Sequence, residues 1–480
     1  MIETRDTPAD LDERASSGHP GWMARHTGWT IAITVAVVGL PLLVALIALR
    51  DVTWYPVLDL AMTEFRVRDV FGGDTPLIGL PGRIGQYPNE GSHPGPLSFY
   101  LLAPTYRALG ASSWALEAAT VVVHLAAIAT ALWIGARRLG WRGVLVVAAL
   151  LTLAVRGYGQ VQLTQPWNPY LPLLAWIVVL LATWAVLCGD HRMLIPLVVA
   201  ATLCAQTHVP YLPLGVGMVA AGTIAVGLQV RRTPRGDRGS SIRSLLWAGG
   251  IGVVLWVPPI IDQAVNDPGN IRQLLSHFGS PPEAAIGVLE GAKVVLRHLD
   301  VWSGIGGQLL GTETFSDSRS IAAGAVTLVV WVAAAVLSWR VGSCQLRALH
   351  VTVAVALVLN FVSAARIFGR VWFYLTLSIW GIAVVMAGAI AWSAVALWRH
   401  WQPTRRVTIG ATTVGVAAAV AVAGSLASAV SFASAEHPEE RLSTAVGALS
   451  GPTYDAIVEG VGAATGVDGA YIVRWSDAAD

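Results

Sequence analysis

Residues 92–104 read SHPGPLSFYLLAP: a histidine, three prolines and an apolar run too short to cross a bilayer. Whether this stretch counts as a span decides the topology of everything after it. Downstream, arginines gather in short clusters: Arg137, Arg138 and Arg142; Arg192; Arg231, Arg232, Arg235, Arg238 and Arg243; Arg340 and Arg347; Arg399, Arg405 and Arg406. With 92–104 left out of the span count, all of them fall on one side, together with Arg5, Arg14 and Arg25 of the N-terminal tail. Acidic residues then outnumber basic ones on the other side. Counting the stretch as a span would throw every later cluster across the membrane. The excess of arginine on cytoplasmic loops therefore makes it a half-span that turns back or lies at the outer interface. The N-terminus is then cytoplasmic and the C-terminus extracytoplasmic.

The wider sequence supports a membrane setting. Of 480 residues 55% are hydrophobic and only 12% charged, with a mean hydropathy of +0.61. Soluble domains carry roughly 25% charge. Apolar segments recur at about 29–49, 114–136, 143–157, 171–188, 193–207, 211–229, 245–261, 321–339, 348–364, 371–397 and 408–430. Their lengths match helices crossing hydrocarbon, and no strand-like alternation runs through them. The expectation is an all-α polytopic protein of the cytoplasmic (inner) membrane with about 11 transmembrane helices. It divides into a cytoplasmic tail (1–28), a membrane body (29–430) and a short extracytoplasmic tail (431–480). The body includes a first outer loop (50–113) with an outer juxtamembrane helix pair, and a second outer loop (262–320) with a helical pattern near 282–299. The tail predicts a helix from Pro438 and a strand-like AYIVRW at 470–475. No small-residue cleavage site follows the first segment, which reads as a retained helix. Cys188, Cys204 and Cys344 lie in or beside apolar stretches without metal-ligand spacing, which disfavours a disulfide framework or zinc site.

Chemistry-bearing residues collect in the outer loops. In DLAMTEFRVRDVF (59–71) the apolar positions fit an amphipathic helix lying on the membrane. Asp59, Thr63 and Arg66 share one face, while Glu64 and Arg68 form an i,i+4 pair that, with Asp69, reads as a solvated surface. Asp59 follows directly on the first span, where a carboxylate is costly unless solvated or functional, and a partly desolvated one can take a proton from a hydroxyl. His93 stands before Pro94-Gly95-Pro96, where a helix opening at Pro96 would direct free N–H groups toward it, an arrangement suited to phosphate; capping of a turn is the plain alternative. Asn168 in QPWNPYLP, and Gln206 and His208 in QTHVPYLP, are uncharged hydrogen-bonding groups at kinked helix ends, suited to sugar hydroxyls or to local capping. Trp167 and Tyr170 read as interfacial belt residues. Arg366 and Arg370 bracket a short IFG and, with Arg156, form a basic spot matched to phosphate or to snorkelling toward headgroups. No P-loop, dinucleotide-binding glycine turn, nucleophile elbow or HExxH occurs. The basic clusters are short and cytoplasmic, which argues against nucleic acid.

Asp59 after span one, followed by HPGPLSFYLLAP, QPWNPYLPLL and CAQTHVPYLPL, resembles the GT-C superfamily of polyprenyl-phosphate-sugar glycosyltransferases. Protein O-mannosyltransferases and lipid A aminoarabinose transferases have a comparable proline-rich half-helix, and the motif set is similar to an actinobacterial group of such membrane proteins. The resemblance covers about 50–230 well. It implies a catalytic base at Asp59 and contact of the lipid phosphate with the residue opening the half-helix, here His93. It implies no cofactor, although some relatives are thought to use a divalent cation. Here His-Pro-Gly-Pro stands where relatives have a basic or His residue followed by two prolines, and no adjacent Asp-Glu pair follows span one.

The expected reaction is inverting glycosyl transfer at the outer membrane face. The polyprenyl-phosphate sugar would be bound through His93, Arg366 and Arg370, with its sugar beside Asn168, Gln206, His208 and Arg66. Asp59 would deprotonate the hydroxyl of a cell-envelope glycan, lipid or protein acceptor, and membrane lipids would surround the body. A transporter or flippase of a lipid-linked saccharide, or a non-catalytic subunit of the same fold, would use the same outer features without bond chemistry. Transporters tend to carry internal repeats and charged midplane breaks; here the spans are nearly free of charge, Glu117 and His124 apart.

Overall fold

The computed structural model describes residues 27–86, 89–301 and 319–460. The N-terminal tail up to residue 26, residues 302–318 near the end of the 262–320 loop and the strand-like stretch at 470–475 lie outside those residues. Among the described residues the chain is nearly all helix, and it is a multi-pass membrane protein. Seven helices are long and apolar enough to cross a bilayer, or eight if one bent pair is a single span.

The first, α1 (Thr27–Leu49), has 23 residues and rises about 34 Å, matching a hydrocarbon core of about 30 Å. Loop one then folds as α2 (Leu58–Asp69), a two-stranded antiparallel hairpin of β1 (Pro81–Gln86) and β2 (Asn89–Ser92), and α3 (Leu97–Ala108). The helix pair is as the pattern predicts; the hairpin is an addition to an otherwise helical chain. The half-span is α3, whose 12 residues extend only about 18 Å.

Next comes α4 (Ser113–Tyr158), 46 residues long. A straight helix of that length would overshoot the membrane twofold. Instead Gly140 takes φ 63°, ψ −154°. Gly135 and Gly143 would be about 12 Å apart on a straight helix, yet a Cβ on Gly143 would lie 2.1 Å from the Gly135 carbonyl oxygen. So α4 is a hairpin of two apolar arms with Arg137, Arg138 and Arg142 at its tip, matching the separate segments 114–136 and 143–157. A short α5 (Gln160–Thr164) leads to α6 (Pro172–Leu187), which is buried along its length and packs against α4. Its uniformly apolar sequence follows from having no solvent or lipid face.

The remaining helices surround that post: α7 (Leu194–Thr207), α8 (Tyr211–Arg232), then α9 (Gly239–Leu255) and α10 (Val257–Val265), which meet at a 45° bend. The second outer loop holds α11 (Asn270–Gly279) and α12 (Gly287–Leu299), more structure than the single pattern near 282–299 predicts. Then follow α13 (Ile321–Val341), α14 (Cys344–Ala365), α15 (Ser378–Trp401), α16 (Arg406–Phe432) and α17 (Glu440–Val458). The expected span at 371–397 starts late. Residues 371–377 form an irregular turn with one 3-10 segment, because aromatic side chains in VWFYL score as apolar while their ring edges and polar tips serve an interface.

The arginine clusters lie at one end of the bundle, where Arg137 pairs with Asp190 at 2.8 Å. At the other end loop one, the second outer loop and α17 pack together. Asn270 is the knot. Its side chain accepts from the Ser92 N–H at 2.8 Å and donates to the Ser92 and His93 carbonyls, while Asp262 accepts its backbone N–H at 2.8 Å. His277 Nδ1 accepts the Gly85 N–H at 3.1 Å. On the far side of loop one, Trp54 donates to the Pro438 carbonyl at 3.1 Å and stacks on His437, whose Nδ1 is 3.0 Å from Glu117 Oε1.

One acidic residue of α2 departs from the expected solvated surface. Glu64 is buried, and its Oε1 accepts from Tyr106 Oη at 2.7 Å and Arg68 Nη2 at 2.6 Å. The reason is that α3 and the start of α4 close over that face, so the i,i+4 pair becomes a staple. Leu58, Phe65 and Phe71 remain exposed, which keeps the amphipathic character of the segment.

The helical hairpin gives a direct check. Gly143→Val should lower thermal stability by about 1–3 kcal/mol, the usual cost of overpacking, because the added carbons meet backbone that cannot rotate away. Unfolding of the detergent-solubilised protein, followed by tryptophan fluorescence, would measure it; an unchanged melting temperature would show that the arms do not cross there.

Candidate active site

Asp59 occupies the first turn of α2. The residue before it, Leu58, has φ 53°, a left-handed conformation seldom taken by Leu. This sharp turn at the helix start accompanies the bond from Trp167 Nε1, which donates to Asp59 Oδ2 at 2.8 Å. Trp167 is therefore more than a belt residue. Its ring meets Tyr170 edge-on at 4.8 Å and Tyr374 at 5.3 Å between centroids. Tyr374 lies 6.2 Å from His208, and His208 lies 5.2 Å from His93. Asp59 and His93 thus belong to one connected group, joined through Trp167, Tyr374 and His208.

The position of His93 does not favour a cationic phosphate contact. It is buried, its Nδ1 accepts the Val209 N–H at 3.1 Å, and its backbone pairs with Leu80 and Gly79. Burial lowers its pKa to about 4, so the ring is neutral at pH 7 with its proton on Nε2. It ties loop one to the turn between α7 and α8. Gln206 is likewise occupied: Oε1 accepts the Leu97 N–H at 3.3 Å, Nε2 donates to the Leu255 carbonyl at 2.7 Å, and its own carbonyl accepts the Gly95 N–H at 3.1 Å. Gly95 is required there, since a Cβ would fall 2.4 Å from Gln206 Oε1. Both residues shape the break in HPGPL and leave no free polar atom of Gln206 for a sugar.

Other polar groups remain unused. Asn168 Oδ1, Gln165 Nε2, Thr207 Oγ1 and Tyr211 Oη are buried and make no hydrogen bond among the described residues. The same holds for both ring nitrogens of His208 by bond geometry, although the nearby Tyr374 carbonyl favours a proton on that ring. Burial, with His93 adding to it, holds the His208 pKa well below the usual range. Each unpaired buried group costs about 1–3 kcal/mol, and native proteins carry few of them. Several on two adjacent helix turns make a surface suited to a polar ligand or to ordered water.

The basic residues separate. Arg370 lies over the Trp372 ring, 4.3 Å from its centroid, and Arg83 of β1 lies over the same ring at 4.9 Å. Arg366 caps α14 with an exposed side chain and stays out of this contact. Arg66, half-buried on α2, makes no hydrogen bond or ion pair among the described residues. The phenol of Tyr374 is raised by burial, while Arg83 pulls it down and Asp59 pushes it up; a carboxylate and a guanidinium therefore flank one hydroxyl. Arg83, Trp372 and Tyr374 escaped the sequence reading. PGRIGQ looks like plain loop, and the aromatic pair was absorbed into an apolar run. Among the described residues no group of three or more His, Cys, Asp or Glu is placed to hold a metal ion.

No known family model matches the chain, and no curated protein matches its sequence. Among solved structures it is similar to the archaeal oligosaccharyltransferase AglB from Archaeoglobus fulgidus, determined in complex with an inhibitory peptide and a dolichol-phosphate. The identity is 11% and the TM-score 0.43, over 91% of this chain and 58% of that one. This chain therefore spans little more than half the length of that protein. A likeness at this level leaves the site to be argued from its own residues.

Two measurements probe the geometry. Unfolded, His93 titrates near 6.5 and folded near 4, so between those values the unfolded chain binds more protons and stability falls as pH is lowered. The loss assignable to His93 is about 3 kcal/mol at most. The stability difference between pH 7 and pH 4.5 should shrink in His93→Gln, and an identical pH dependence in both proteins would contradict the neutral buried ring. Trp167→Phe keeps the ring and removes the donor to Asp59. Loss of a hydrogen bond to a carboxylate should lower stability by about 1.5–3 kcal/mol, read from thermal unfolding of the detergent-solubilised protein. An unchanged melting temperature would remove Trp167 from that contact.

Proposed function

We propose that the chain is a membrane glycosyltransferase of GT-C type, moving a sugar from a polyprenyl-phosphate donor to an acceptor hydroxyl with inversion. The observation that carries the reading is the meeting, at one end of the bundle, of a carboxylate, unpaired guanidinium groups and buried unpaired polar atoms. Inverting transfer needs those three features together. Asp59 takes the proton of the acceptor hydroxyl as its oxygen attacks the anomeric carbon, and the bond from that carbon to the phosphate oxygen breaks on the opposite side. The lipid phosphate leaves as an anion, and positive charge fixed in advance stabilises the developing negative charge. Arg370 is the donor-phosphate residue kept from the sequence reading, and Arg366 stands close enough in sequence to meet a headgroup. Asn168 and His208, with Thr207, offer hydrogen bonds to sugar hydroxyls. His93 and Gln206 hold the break that lets α3 enter the membrane only partway, and Trp167 positions Asp59.

On this reading the membrane body carries the reaction, and the tail as far as residue 460 is an appendix on the same side as loop one. The positive-inside rule makes that side extracytoplasmic, where lipid-linked sugars replace nucleotide donors. The acceptor is a cell-envelope glycan, lipid or protein.

The test is reconstituted protein with radiolabelled polyprenyl-phosphate sugars and a hydroxyl acceptor. Wild type should form product and release lipid phosphate, and Asp59→Asn should lose at least 100-fold in turnover, the lower range for a lost general base, while its melting temperature is preserved. Full activity of Asp59→Asn would remove the base. Passage of the intact donor across vesicles without release of lipid phosphate would replace the reading with a flippase.

A further inference from the structure

Arg83 has no place in the reaction as read from the sequence, yet it is held in an arrangement that makes little sense without a ligand. It projects from the loop-one hairpin onto Trp372, and Arg370, from the turn before α15, lies over the same indole. Both side chains are exposed, and neither forms an ion pair among the described residues. Glu283 approaches the Gly369 backbone without pairing with either arginine. An indole face attracts a guanidinium by about 0.5–1 kcal/mol at an exposed site, enough to orient each one. It does not cancel the repulsion between two positive charges gathered on one ring.

Two planar guanidinium groups share one indole and neither is ion-paired among the described residues; each offers the planar set of N–H donors that matches phosphate oxygens. Their placement adds a second point. Arg83 and Arg370 come from segments nearly 290 residues apart in the chain and meet only over Trp372, so a bound anion would join loop one to the turn before α15. Trp372 in turn stacks near Tyr374 at 6.0 Å between centroids and 13° between planes, and Tyr374 leads to Trp167 and Asp59.

We propose that Arg83 and Arg370, oriented by Trp372, form an anion seat that takes a phosphate group, with Arg83 as the member contributed by loop one. The inference rests on the glycosyl-transfer reading only for what carries that phosphate. A lipid-borne monophosphate and free inorganic phosphate share the chemistry, and the experiment separates them.

The full chain in phosphatidylcholine nanodiscs is titrated with a short-chain prenyl monophosphate, in the presence and absence of inorganic phosphate. Saturable binding is expected, weakening with salt, and at least tenfold weaker in Arg83→Ala and in Arg370→Ala. Arg83→Lys should recover part of the loss, because it restores charge without the planar fork. Competition by inorganic phosphate at equal concentration assigns the seat to the phosphate group itself; failure to compete assigns it to the lipid-borne form. Melting temperatures of these exposed-site variants report whether they remain folded. Absence of binding by both ligands, or unchanged binding in the Arg83→Ala/Arg370→Ala double variant, overturns the proposal. If wild type binds in this arginine-dependent manner and transfers no sugar, the seat stands and the transferase reading fails.

Discussion

The architecture of the loop-one end depends on one hydrogen-bonding knot around Gln206. Its side chain accepts the Leu97 N–H and donates to the Leu255 carbonyl, while its backbone carbonyl takes the Gly95 N–H. These bonds satisfy backbone groups that the prolines of HPGPL leave outside any helix, at a depth where unpaired groups are expensive. They also fix α3 against α7 and the α9–α10 bend at once. From that fixed point the chain can only run back through His93 into the hairpin, where Asn270 and Asp262 take over. Arg83 and Asp59 are thereby held on the same end of the bundle as the turns that follow α5 and α7. Because Gly95 lies against Gln206 with no room for a Cβ, the knot tolerates little change.

The core around α6 is packed almost wholly from apolar side chains, with isolated unpaired atoms such as Trp380 Nε1 and the His124 ring. At the loop-one end, Asn168, Thr207 and His208 hold buried polar atoms without partners, and two guanidinium groups share a ring. Each is unfavourable alone, and together they mark a surface whose complement lies outside the chain. Sites that act on ligands are where proteins accept local penalties that packing elsewhere offsets. The contrast with Glu64 makes the point. That carboxylate is buried as well, but Tyr106 and Arg68 satisfy it, so it serves structure.

Much of the fold was legible because membrane insertion leaves a coarse signal. Ten of the eleven apolar segments follow a helix, an arm of α4 or a bent pair, and 371–397 does so only from Ser378, while seven or eight described helices are long and apolar enough to span. The amphipathic pattern after Asp59 likewise gave α2. The hairpin was not legible: PGRIGQ has no strand alternation, and it pairs through backbone with help from α11. Residues 371–377 misled for the opposite reason, since hydropathy counts Trp372, Phe373 and Tyr374 as lipid-facing when they line the turn before α15. Asp59 stood out because a carboxylate beside a span is rare, whereas Arg83 looked like one more loop arginine. His93 shows the limit most clearly. Its residue type and proline neighbours fit a phosphate contact, and only burial reveals a neutral ring that accepts a backbone N–H.

The central claim is that one end of the bundle is built around a phosphate-linked sugar. Its most direct test is a cryo-EM reconstruction of the full chain with a polyprenyl-phosphate sugar bound. The account predicts headgroup density beside Asp59, with the sugar within hydrogen-bonding distance of Asn168, Thr207 or His208 and the phosphate against Arg370. Headgroup density at the arginine-rich end, or along the bundle with no contact to these residues, would contradict it.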